Sequence, residues 1–119
     1  MKRHLCLYIS LMVLASTLAT GCSALRGREA ELKQDLRTMR VAIDSYTLNK
    51  QRAPQSLQDL VDGHYLKEIP TDPFTRKKNW VPQFDSVVLS PDQTTTGIVD
   101  VHSSSPKTSP FDGTPYSEW

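Results

Sequence analysis

The chain predicts an α+β fold, a long N-terminal α-helix packed on a small antiparallel β-sheet of about three strands. Three observations carry that expectation. A proline-free stretch from Arg26 to Asn49 repeats apolar residues at helical spacing. A proline-rich break follows it. The second half then turns to β-formers separated by turn residues.

Within the first stretch, Leu32, Leu36, Met39, Ile43 and Tyr46 alternate steps of four and three residues, and Leu25 lies two turns earlier. Such steps put all of them on one helix stripe. Arg28, Glu29, Glu31, Lys33, Asp35, Arg37, Arg40 and Asp44 fill the other faces, with Glu29 and Lys33 in the favourable i, i+4 order. The stripe is expected to enter the core from about Leu36 onward, leaving Leu25 and Leu32 for a partner or a membrane surface. Arg52-Ala53-Pro54-Gln55 ends the helix. Ser56 to Gly63 reads as a short second helix, with Ser56 as N-cap, Asp59 three residues on and Gly63 as the stop. Pro70 and Pro73 exclude regular structure from His64 to Phe74, where Tyr65, Leu66, Ile69 and Phe74 can anchor an ordered turn. Strands are expected between Trp80 and Leu89 and between Gly97 and His102, joined through Ser90-Pro91-Asp92-Gln93. The last segment, from Ser103 on, is rich in Ser, Pro and Thr, but Phe111, Tyr116 and Trp119 suit a loop pinned to the core by its rings.

The N-terminus carries the strongest local signal. Lys2, Arg3 and His4 make a positive start, Leu5 to Leu25 carries no charge, and small residues gather at Ala19, Thr20, Gly21, Cys22, Ser23 and Ala24. This is the order of a secretory signal segment. It resembles a bacterial lipoprotein signal with Leu18-Ala19-Thr20-Gly21-Cys22 as lipobox, which implies cleavage between Gly21 and Cys22 and lipid attachment at Cys22. An uncleaved transmembrane helix is the rival reading, since about 20 apolar residues span a bilayer; simple secretion is a third. Either anchor places the domain outside the cytoplasm, in the periplasm or its equivalent. A prepilin leader needs the apolar stretch after its glycine and a glutamate five residues in; here that stretch precedes Gly21, and the fifth residue after Gly21 is Arg26.

Length and charge restrict the rest. The 119 residues leave room for one small domain behind the leader. Of 14 basic side chains against 13 acidic, removal of Lys2 and Arg3 leaves 12 against 13, a balance without the clustered basic face that nucleic acid requires. Cys6 and Cys22 both lie in the N-terminal stretch, so the domain has no disulfide or cysteine metal cage. His64 and His102 have no catalytic motif around them, and no phosphate loop, nucleophile elbow or zinc motif occurs. The expectation is a non-enzyme. Asp100, Asp112 and Glu118, amid Ser103, Ser104, Ser105, Thr114 and Ser117, are candidate oxygen ligands for a hard cation, although no D-x-D-x-D-G loop is present.

Ala42-Ile43-Asp44-Ser45-Tyr46, the proline break, Tyr65-Leu66-Lys67 and Pro70-Thr71-Asp72-Pro73-Phe74 together resemble the G-type major pseudopilins of type II secretion systems, whose signature at the junction of helix and sheet is Tyr-Leu-Lys followed by Pro-x-Asp-Pro-aromatic. The resemblance covers about residues 28 to 119. It implies a pilin-like fold and a non-catalytic component of a type II secretion or type IV pilus-like system. Such a component works by contact with other secretion-system proteins, or by self-assembly, at a membrane and without nucleic acid. The alternative is a stand-alone membrane-anchored lipoprotein that uses a pilin-like domain as a binding or scaffold module. The resemblance further implies a closing loop from Asp100 to Trp119 able to bind Ca²⁺, with Asp112 as the ligand to name; Ser103-Ser104-Ser105-Pro106 stands where glycines and an acid are common in the family. The expected division is a lipoprotein-type signal peptide over residues 1–21, an exposed helical tether over 22–35 and a pseudopilin-like domain over 36–119.

Overall fold

The computed structural model describes the backbone from Lys2 and the side chains from Gly21 to Trp119. The signal segment expected over 1–21 falls, up to Thr20, outside the described side chains. Helix α1 spans Lys2–Lys50, α2 spans Leu57–Asp62, strands β1 and β2 span Val81–Ser90 and Gln93–His102, and a 3-10 turn covers Tyr116–Glu118. The fold is α+β, a long helix packed on a two-stranded antiparallel sheet. Among the described residues no helix is long and apolar enough to cross a membrane.

The stripe on α1 supplies one wall of the core. Leu32, Leu36, Met39, Ala42, Ile43 and Tyr46 are all buried, together with Leu60, Leu66, Trp80, Ile98, Val101 and Tyr116. Leu32 is 0% exposed. The expectation that it lies on an exposed tether is therefore corrected: the core begins at least one turn earlier than Leu36. The cause is the C-terminal segment, which folds back along α1 until the Tyr116 hydroxyl donates to buried Glu29 Oε1 at 2.7 Å. Glu29 thus pairs with Tyr116 and not with Lys33.

The end of α1 is local chemistry. Gln51 takes a left-handed φ of 55° and its side-chain amide donates to Leu48 O at 2.6 Å, satisfying one of the carbonyls a helix end leaves free. The following break is stitched to β2 by Ile98 N donating to Pro54 O and Ala53 N donating to Thr95 Oγ1. The approach is so close that a Cβ on Gly97 would lie 2.6 Å from Pro54 O, which explains a glycine inside a strand. Helix α2 has the expected capping box: Ser56 accepts from Asp59 N while the Asp59 carboxylate accepts from Ser56 N, and Gly63 follows the last turn.

The proline turn is organised around Asp72, which is completely buried. Its Oδ1 accepts from Phe74 N at 2.8 Å and Thr75 N at 3.3 Å, and its Oδ2 accepts from the Ser103 hydroxyl at 2.5 Å. Trp80 Nε1 donates to Pro70 O, closing the same turn against the core.

Strands β1 and β2 form one hairpin, with register shifts at Gln83/Phe84 and Val88/Ser90. β2 carries the buried pair Ile98 and Val101 toward α1, while Val81, Phe84 and Val88 of β1 stay exposed. The sheet has two strands where about three were expected. Beyond His102 only the isolated bridge Thr108–Pro115 is β-like. Prolines 106, 110 and 115 remove ladder donors there, and Ser103, Ser105 and Ser109 bury their hydroxyls in turns.

Candidate interaction surface

The middle of α1 and the closing loop enclose an open groove of about 570 Å³, lined by Lys33, Leu36, Arg37, Arg40, Val41, Asp44, Asp112, Thr114 and Trp119. Its floor is fixed by Arg40. The guanidinium donates through Nε to Asp100 Oδ1 at 2.6 Å and through Nη2 to Val101 O at 3.0 Å and to the main-chain oxygen of Trp119 at 2.6 Å. One side chain on α1 thereby ties down the end of β2 and residue 119. Burial pushes the Asp100 carboxyl up, but the Val101 N–H and the bond to and charge of Arg40 outweigh it and hold the group below its usual value. His102 Nδ1 lies 2.8 Å from the same Trp119 oxygen, which makes Nδ1 the protonated nitrogen.

The groove's outer wall is a relay of polar contacts. Trp119 Nε1 donates to Thr114 Oγ1 at 2.7 Å, and Thr114 donates from both Oγ1 and N to Asp112 Oδ1, at 2.6 and 2.9 Å. Lys33 Nζ stands 4.6 Å from the centroid of the Trp119 ring, a cation–π contact. Tyr116 meets Trp119 edge-on at 4.9 Å and stacks on Phe74 at 4.0 Å, so the wall rests on the core. Burial, followed by the bond to and charge of Glu29, pushes the Tyr116 hydroxyl up to about 12.

Chemically the groove offers exposed cations at Lys33 and Arg37 beside apolar Val41, which is 58% exposed, and the ring of Trp119. With Asp44 and Asp112 on its rim, it presents charges of both signs around an apolar centre. Farther along α1, exposed Leu48 lines a second groove with Val87, Val88 and Ile98.

The residues singled out in the sequence fall apart spatially. Cys22 is a free, exposed thiol on α1, ahead of the packed part of the helix. Asp112 lies on the surface, and its carboxyl is held low by the Thr114 hydroxyl and then the Thr114 N–H. Among the described residues no group of three or more His, Cys, Asp or Glu is arranged to hold a metal, so Asp100, Asp112 and Glu118 are not brought together. Of the three closing rings, Tyr116 is buried and Trp119 half-buried as expected, but Phe111 is 42% exposed: its loop turns it outward, against Arg26 instead of the core. Sequence reasoning missed the groove, because Arg40 and Asp100 are 60 positions apart and each reads alone as a surface charge.

No protein-family model matches the chain, and neither do curated proteins or solved structures.

Proposed function

We propose that this chain is a non-catalytic, pseudopilin-like component of a type II secretion or type IV pilus-like system, exported, lipid-anchored at Cys22, and acting by protein–protein contact. The observation that carries the reading is the use of α1: its middle is the spine of the domain, while Lys33, Arg37 and Val41 on the same segment remain open in the groove. A long helix laid on a small antiparallel sheet is compatible with a pilin-like layout. The two domain histidines support a non-enzymatic role. His64 is exposed in a turn, and His102 is committed to the Trp119 main chain with Gln83 and Asp100 beside its other nitrogen.

The test is site-specific photo-crosslinking from position 41 of the full chain in its native membranes. The expected product is an adduct with a pseudopilin, lost on Arg37→Glu, together with reduced export of secreted proteins when the chain is deleted. Normal export after deletion contradicts the reading. A stand-alone membrane-anchored lipoprotein with a pilin-like scaffold domain is the second reading, favoured by the order of the N-terminus, in which the apolar stretch precedes Gly21 and Arg26 stands fifth after it. It keeps the anchor and gives no pseudopilin adduct.

A further inference from the structure

We infer that the tip of the closing loop, together with the start of the exposed part of α1, is a docking surface for an anionic phospholipid bilayer, which sets how the domain sits on the membrane. The inference rests on the anchoring at Cys22 proposed above.

The geometry begins with helix periodicity. Cys22 and Arg26 are four residues apart on one continuous helix, so they share a face and differ by about 6 Å along the axis. The Arg26 guanidinium lies 4.5 Å from the centroid of the Phe111 ring. Phe111 is therefore tied to the residue one turn after the anchor, on the helix face that the anchor shares. The loop that presents it is built rigidly: Ser109 N donates to Thr114 O, Gly113 N donates to Ser109 O, and Phe111 N donates to Ser109 Oγ. Gly113 supplies the positive φ of 76° that closes this turn. With the turn fixed by buried Ser109, the ring at its apex is directed outward at no further cost in order.

The pairing of an exposed ring with an arginine points to the occupant. Arg26 and Arg28 are both exposed. Of the carboxylates beside them, Glu29 is buried under the Tyr116 hydroxyl, whereas Asp112, bonded to Thr114, and exposed Glu31 keep their charge at the surface. An exposed aromatic ring under an arginine, one helical turn after a lipid-bearing residue, matches the headgroup level of a bilayer: aromatic rings settle there, and basic side chains meet lipid phosphates. A protein partner would need a carboxylate and an apolar pocket to be brought to the bilayer surface, whereas the membrane is already there.

The probe is the full-length Phe111→Trp protein in vesicles of phosphatidylethanolamine with about one quarter phosphatidylglycerol. Trp80 and Trp119 are common to both proteins, so the wild-type spectrum on the same vesicles is subtracted as the background. The expected result is co-flotation with the vesicles, a blue shift of the added tryptophan and its quenching by lipids brominated near the headgroup. The shift and quenching should fall at least twofold on Arg26→Glu or without phosphatidylglycerol. In the unsubstituted protein, hydrogen exchange across residues 109–114 should slow on the same vesicles. Co-flotation with unchanged tryptophan emission and unchanged exchange overturns this surface and leaves the anchor intact. Failure to float overturns the anchor itself, and the docking surface with it.

Discussion

Tyr116 and Glu29, 87 positions apart, meet in a buried hydrogen bond of 2.7 Å. That one contact carries the closing segment down α1 past Leu32 and fixes how much of the helix belongs to the domain. Tyr116→Phe keeps the ring stack on Phe74 but leaves Glu29 buried without its donor. The expected loss is about 1–3 kcal/mol in denaturant unfolding. The hydroxyl also gives a pH dependence. Because its folded value of about 12 exceeds the ordinary 10.0, the folded state binds the proton more tightly; the contribution is complete below pH 10 and is lost as pH rises toward 12. The Tyr116→Phe variant should lack this alkaline loss.

Leu32 and Ile43 provide a second test, since both are buried in the same cluster. Truncation of either to alanine should cost about 2–5 kcal/mol. A tether exposed up to residue 35 would instead leave Leu32→Ala nearly neutral, under about 0.5 kcal/mol.

Asp35 titrates on the acidic side. Burial first, then the charges of Glu31 and Asp72, push its carboxyl from 3.8 to about 6. A raised acid favours the protonated folded state, so its contribution is present below pH 3.8 and is lost as pH rises through about 6. Asp35→Asn should flatten the stability profile across that window and raise the unfolding midpoint at neutral pH, as read from urea titrations at a series of pH values.

Much of the fold was legible because local rules set it. The capping pair Ser56 and Asp59, the breaker at Pro54 and the strands around Val87 and Ile98 each follow from residues within a few positions of one another. What was not legible depends on distant pairing. Leu32 reads as exposed until Tyr116 folds back over that part of the helix, and Arg40 reads as a solvated charge until Asp100 and Trp119 arrive. Ser103 and Ser105 looked like loop composition; burial of the Asp72 carboxylate gives Ser103 its role as donor, and Ser103 Oγ in turn accepts from Ser105 N. Phe111 reads as a core anchor beside Tyr116 and Trp119, since a sequence does not show which way a ring at a loop apex turns.

Asp112 separates turn chemistry from metal binding. Its carboxylate already accepts both the N–H and the hydroxyl of Thr114. Thermal melts of the full chain in millimolar calcium and in chelator should coincide, and Asp112→Ala should lower the melting temperature equally in both. A calcium-dependent rise abolished by that substitution would restore the ligand role, because a bound ion stabilises the native state by mass action.

The central claim, a domain held at a membrane through Cys22, is tested most directly by intact-mass spectrometry of the protein extracted from membranes. The account expects a chain that begins at Cys22 with a diacylglyceryl group on its thiol, and loss of that species in Cys22→Ser. A mass that retains residues 1–21, with an unmodified thiol at Cys22, would contradict it.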